Sequence, residues 1–295
     1  MQKKGLLSDE IYIVFIFLIS IFIINPPGNF PLNDDWAYFW SVKKFVTENK
    51  IEISDWATPS LVIQILIGGL ICKIFSLSYT TLRILTLSFS LTGILIFFTL
   101  IRKLTKNPLI PTFVLLLNPL YLVLSFTFMT DIYFLTSMLL SLYFFYSGYK
   151  KENEKFTILG SFFSSLSILI RQIGIFIPFG IFLFYLLKKK KIKIEILILP
   201  LLTFILYQYW FKFIHHENWA HKVYVKKITI SYFKNIPVLV LNFFKRLFLI
   251  IPLLFSFLFP LTLSIRRKKK LSYPLILLVL FLFFYLCNQY IRRNL

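Results

Sequence analysis

Acidic side chains are scarce in this 295-residue chain, 12 in all against 33 Lys and Arg, so their positions carry information. Asp34 and Asp35 stand together after Pro31, Asp131 ends the run Phe128-Met129-Thr130-Asp131, and Arg171 opens Arg171-Gln172-Ile173-Gly174. A carboxylate can orient and deprotonate a hydroxyl, and a guanidinium offers a phosphate two parallel hydrogen bonds. With apolar walls to exclude water, that set has the parts for moving a group off an anionic lipid carrier. Ionisable groups kept near membrane depth are expensive and by default raise a functional hypothesis. Each place also has a structural reading. Asn33-Asp34-Asp35 could cap a helix over 36–47, Thr130-Asp131 could cap a span, and Arg171-Gln172 could snorkel to an interface. The conjunction favours chemistry, because lengths and charges put all three on one face of a membrane.

The elements that must hold these residues are membrane helices. Hydrophobic residues make up 58% of the chain and charged ones 15%, with 36 Phe and a mean hydropathy of +0.78. A soluble domain averages about 45–50% apolar and about 25% charged, so most of this chain has no water to face. The net charge of +21 does not mark a nucleic-acid binder, because the cations sit in short runs between apolar stretches. Cys72 and Cys287 lie far apart in apolar sequence, which argues against a disulfide framework or a cysteine metal site.

Spans of about 20 residues are expected for a bilayer core about 30 Å thick. The candidates are 11–24, read as an uncleaved anchor, then 80–101, 109–127, 132–149, 192–213, 240–264 and 272–290. Residues 156–187 read either as one oversized helix or as two short ones meeting near Arg171. Residues 59–77 are also apolar, and charge arbitrates. If 59–77 lies along the interface and 156–187 is a pair, five basic blocks holding 18 of the 33 cations share the cytoplasmic side. The reading is nine spans, with the N-terminus inside and large external loops at 25–79 and 214–239. Gln64, Gly68-Gly69, Lys73 and Trp56 suit an interfacial helix.

All three histidines, His215, His216 and His221, fall in the second loop. His216 and His221 are five apart rather than the four that would align two ligands on a helix, so a substrate-contact or linking role is favoured over zinc. No phosphate-cradling glycine loop or serine-nucleophile elbow is present. Cofactors stay unassigned. A divalent cation is compatible with the acids, but no ligand set specifies one.

Three motifs together resemble the GT-C glycosyltransferases that use polyprenyl-phosphate sugars: Pro31-Leu32-Asn33-Asp34-Asp35-Trp36-Ala37-Tyr38, Phe128-Met129-Thr130-Asp131 and Ile170-Arg171-Gln172-Ile173-Gly174. The likeness runs through order and spacing over 1–215 and is nearest to the bacterial protein O-mannosyltransferase and aminoarabinose transferase branch. It implies an all-α, polytopic membrane fold with interfacial helices in the first external loop, which agrees with the charge argument for 59–77. It implies that Asp34 is the base and Asp35 its partner, that Asp131 positions the acceptor or assists, and that Arg171 with Gln172 meets the carrier phosphate. Trp36 and Tyr38 fall at the substrate by the same match. Lys43, Lys44 and Lys73 are phosphate candidates on charge and location alone.

The expected organisation is one transmembrane domain over 1–295, with a GT-C-like core at 1–215 and a C-terminal part at 216–295 shorter than is usual for the family. The expected partners are a polyprenyl-phosphate-sugar donor, a hydroxyl acceptor on a lipid, glycan or protein, and membrane lipid, in the plasma membrane of a cell envelope. The competing reading is a transporter or flippase-like carrier of an anionic lipid or solute, with a broken helix near Arg171 and Pro178. A carrier needs polar groups through the membrane depth, whereas a transferase concentrates them at one face.

Overall fold

The computed structural model describes residues 6–24, 28–57, 60–188, 193–215, 219 and 222–223. The chain divides into two compact units, Met1–Lys226 and Lys227–Leu295, and every described residue belongs to the first. The expected spans 240–264 and 272–290, with His216 and His221, lie outside the described residues. Among the described residues there are helices and no strands.

The order is α1 (Leu6–Ile24), α2 (Asp35–Glu48), α3 (Val62–Ile74), α4 (Tyr79–Arg102), α5 (Leu109–Leu116), α6 (Pro119–Ser125), α7 (Thr130–Lys151) and α8 (Glu154–Ile170). A 3-10 turn (Gln172–Ile175), α9 (Phe176–Leu187), α10 (Glu195–Tyr209) and a π-helical turn (Trp210–His215) follow. By length and composition, Tyr79–Arg102 and Glu195–His215 can each cross a membrane alone. The pair α6 and α7, bent by 107°, is a third candidate. Helix α3 has 13 residues, about 20 Å at 1.5 Å per residue, which is short of an apolar core about 30 Å thick. It packs instead under α2 and α4. A Cβ on Gly68 would come within 2.7 Å of the Phe128 ring and 3.2 Å of Leu82, and one on Gly69 would run into Phe45.

Residues 156–187 form a pair of helices, broken where Arg171 turns to an extended conformation (φ −142°, ψ 127°). Gly174 lets the 3-10 turn fold back on the end of α8, since a Cβ there would meet Ser167 and the Ile168 backbone. The expected single span over 109–127 is corrected to two short helices, α5 and α6. Pro119 lacks the N–H that would continue α5, and the Asn118 side chain caps α6 by accepting from the N–H groups of Leu120 and Tyr121 at 2.9 and 3.2 Å.

Small polar residues let the long helices approach closely. Ser141 of α7 donates to the Gly160 carbonyl of α8 at 2.8 Å, and Thr86 of α4 shares a 2.9 Å hydrogen bond with the Tyr133 hydroxyl of α7. Ser90 and Ser125 tie α4 to α6 at 2.8 Å. The helix bundle has two chemically different ends. Arg102 pairs with Glu10 at 3.2 Å, and Lys103 reaches Ser147 and lies 4.1 Å above the Tyr143 ring, so the end of α4, the start of α1 and the end of α7 meet in a basic region. The starts of α2, α4 and α7 and the break after α8 gather at the opposite end, around a core that includes Val42, Leu61, Ile65, Phe128 and Ile170.

Candidate functional site

The elbow between α6 and α7 organises the site. Its backbone at 126–129 lies outside both helices, so its polar groups need partners from elsewhere. The Phe126 carbonyl accepts from Arg83 Nε at 3.1 Å. Phe128 N–H donates to Asp35 Oδ2 at 3.4 Å, and its carbonyl accepts from Gln64 Nε2 at 2.8 Å. Asn33 Nδ2 reaches the Met129 sulfur at 3.4 Å. Arg171 Nε donates to Thr130 Oγ1 at 2.7 Å, and Arg171 Nη2 pairs with Asp131 Oδ2 at 2.9 Å. The three sequence motifs around Asp34, Asp131 and Arg171, up to 137 positions apart, therefore meet at one elbow.

The two neighbouring acids do different things. Asp35 is 2% exposed, and besides Phe128 it accepts the Leu32 N–H at 2.8 Å. Burial pushes its carboxyl up to about 6, against the pull of those two N–H groups and of Arg83, with Asp34 adding to the rise. Asp34 is exposed and sits at the N-cap of α2, yet its side chain makes no capping hydrogen bond. Its carboxylate has no ion pair among the described residues. Helix capping, the structural alternative for the pair, thus does not engage the Asp34 side chain.

Arg171 and Asp131 form an ion pair whose side chains are 29% and 31% exposed. The N-cap of α7 is Met129, so Asp131 is not a capping group. Arg171 Nη1 has no partner among the described residues and remains to donate. Beside them the Tyr38 hydroxyl is pushed up to about 12 by burial, with Arg171 opposing and Asp131 and Asp34 adding. That places Tyr38 within the field of all three charges.

Other sequence candidates go elsewhere. The buried Gln172 Nε2 lies near the Tyr207 hydroxyl, as does Ser60, at geometry short of a hydrogen bond for each of the three among the described residues. Lys44 pairs with Glu48 at 2.8 Å and lies 5.4 Å from the Trp40 ring, while Lys43 is exposed one residue away. Lys73 donates to Asn49 Oδ1 at 2.6 Å beneath Phe45. The three lysines are not brought to the elbow. Trp36 is 42% exposed and faces Trp56 rather than the Asp131–Arg171 pair.

Sequence reasoning passed over Arg83. This arginine is 5% exposed and also donates to the Gly28 and Phe30 carbonyls at 3.3 and 3.2 Å, so it ties the approach to α2 to the elbow. A single cation one turn into an apolar span was the available signal. Also missed was His215 Nε2, which accepts the Ile53 N–H at 2.8 Å and joins the two expected loops. Among the described residues no three His, Cys, Asp or Glu side chains gather in a way that could hold a metal ion.

A family model described as dolichyl-phosphate-mannose-protein mannosyltransferase matches residues 60–211, a little over half of the chain. The chain belongs to this family. The matched stretch carries Gln64, Arg83, the elbow and Arg171, while the Asp34-Asp35 pair precedes it. No curated protein and no solved structure matches. As a dolichyl-phosphate-mannose-protein mannosyltransferase family member, a GT-C type, the chain is a membrane glycosyltransferase that draws on a polyprenyl-phosphate-sugar donor and serves an acceptor.

Proposed function

We propose that the protein transfers a sugar from a polyprenyl-phosphate donor to a hydroxyl at the outer face of the plasma membrane, with its N-terminus cytoplasmic, in the manner of the protein O-mannosyltransferase and aminoarabinose transferase branch. Asp34 takes the proton of the acceptor hydroxyl, whose oxygen bonds to the sugar's anomeric carbon as the bond from that carbon to the phosphate oxygen breaks. Polyprenyl phosphate leaves with the bonding pair, and Arg171 stabilises the charge that develops there. Asp131 and Thr130 hold the guanidinium on two sides and direct its remaining edge. Tyr38 lies within the field of the three charges of Asp34, Asp131 and Arg171.

The observation that carries this reading is the convergence of Asn33, Asp131 and Arg171 on one elbow, with the adjacent Asp34 carboxylate in no ion pair or helix cap among the described residues. The test is release of polyprenyl phosphate, with sugar appearing on an acceptor, by wild type and Asp34→Asn. A positioned base contributes about 10²–10⁴-fold, so the variant should lose at least about 100-fold while melting like wild type. Full activity in Asp34→Asn would overturn the base assignment. Movement of an intact lipid or solute without release would make the protein a carrier.

A further inference from the structure

Near Asp34 the structure assembles a row of indoles that the transfer reaction as described does not use. Trp36 lies on the first turn of α2, Trp56 in the stretch after it, and Trp219 beyond the π-helical turn. The rings of Trp36 and Trp56 are 6.3 Å apart and those of Trp56 and Trp219 5.3 Å, inclined at 57° and 53°. The three are 42%, 64% and 55% exposed. Large apolar rings gathered in the open mark a contact surface.

The row is pinned by polar ties that do not belong to the elbow. Trp219 N–H donates to Asp55 Oδ1 at 3.0 Å, and Ile53 N–H donates to His215 Nε2 at 2.8 Å. Ser54 N–H donates to Ser41 Oγ of α2 at 3.0 Å. Two segments 164 positions apart are thereby locked beside each other, which presets the rings and reduces the entropy lost when something binds. In the sequence Asp34 stands two positions before Trp36 and Asp55 next to Trp56, and the Asp55 carboxylate accepts from Trp219.

Indole faces flanked by carboxylates match one chemistry closely. The C–H face of a sugar ring packs on an indole face, and its hydroxyls donate to carboxylates. A bilayer anchor would instead pair tryptophans with cations that meet lipid phosphates. We propose that Trp36, Trp56 and Trp219 form the acceptor platform, and that the acceptor hydroxyl is carried on a sugar ring. The proposal rests on the transferase reading and narrows it. The ring stacks on the row and presents one hydroxyl to Asp34.

The probe is a set of soluble neutral disaccharides and trisaccharides, added to purified full-length protein without donor and followed by tryptophan fluorescence. Saturable change is expected in wild type and in Asp34→Asn, and a much weaker change in Trp56→Ala and Trp219→Ala. In transfer assays Trp56→Ala should raise KM for the sugar acceptor about tenfold at unchanged kcat, and Trp56→Phe should restore most of it. Saturation without transfer from any donor would sink the transferase reading and leave the platform standing. Transfer with no sugar-dependent fluorescence and an unchanged KM in Trp56→Ala would overturn the platform. So would a response confined to serine- or threonine-containing peptides, or quenching by brominated lipid that Trp56→Ala abolishes without touching KM.

Discussion

Replacing Asp35 by Asn tests whether the buried acid is an architectural acceptor instead of a base. The carboxylate is 2% exposed and accepts two backbone N–H groups, from Leu32 and Phe128. Its pKa rises from the usual 3.8 to about 6, a shift of about two units and so about 3 kcal/mol. Because the folded value lies above the unfolded one, the fold is most favoured below about pH 4, where Asp35 is protonated in both states. That advantage is lost as pH rises through about 6. An Asn removes the charge penalty at pH 7.5, but its NH₂ must face one of the two N–H donors, at a cost of about 1.5–3 kcal/mol. The two effects nearly cancel at pH 7.5; at pH 5 about half of the charge penalty, roughly 1.5 kcal/mol, is still present, and only near pH 4 does the loss stand almost alone. Melting of detergent-solubilised protein should therefore show Asp35→Asn within a few degrees of wild type at pH 7.5, modestly below it at pH 5 and furthest below it near pH 4, with a flatter profile throughout. Asp35→Ala, which leaves both N–H groups unpaired, should melt well below wild type at pH 5. A wild-type melting temperature that climbs from pH 5 to 7.5, or an Asp35→Asn curve parallel to it throughout, would refute the reasoning.

Three further single variants and one double variant probe the rest of the site. Arg171→Gln and Asp131→Asn should each cut transfer, and the double variant should be little worse than Arg171→Gln alone, since residues sharing one ion pair are not additive; independent effects in the cycle would show that the pair does not act as a unit. Arg83→Gln removes a buried cation that donates to three carbonyls from two separate segments. It should destabilise the protein by about 3 kcal/mol or more and open residues 28–34 to proteolysis, an outcome checked by melting and limited digestion; wild-type protease resistance would count against its tying role.

Much of the architecture was legible in composition and local pattern. Apolar runs and basic turns read directly as helices with one cationic end, because membrane solvation acts on each segment separately. The break at Arg171 showed as a charged, glycine-containing interruption of an overlong apolar run. The division at Asn118-Pro119 was equally present in the letters, but a hydropathy window averages over one proline and returned a single span. The scarcity of acids pointed to Asp34, Asp35 and Asp131, and the motif order pointed to Arg171. Nothing local could distinguish Asp34 from Asp35, since adjacent acids differ only in which one the elbow's backbone N–H groups and the surrounding core enclose. The same holds for Gln172, near Tyr207, for Arg83, whose carbonyl partners at Gly28, Phe30 and Phe126 lie 43 to 55 positions away, and for Trp219 beside Trp56. Solvation of a segment is written into the segment, whereas the pairing of a buried charge or an exposed ring depends on which distant backbone arrives beside it, and that was decided by the tertiary structure.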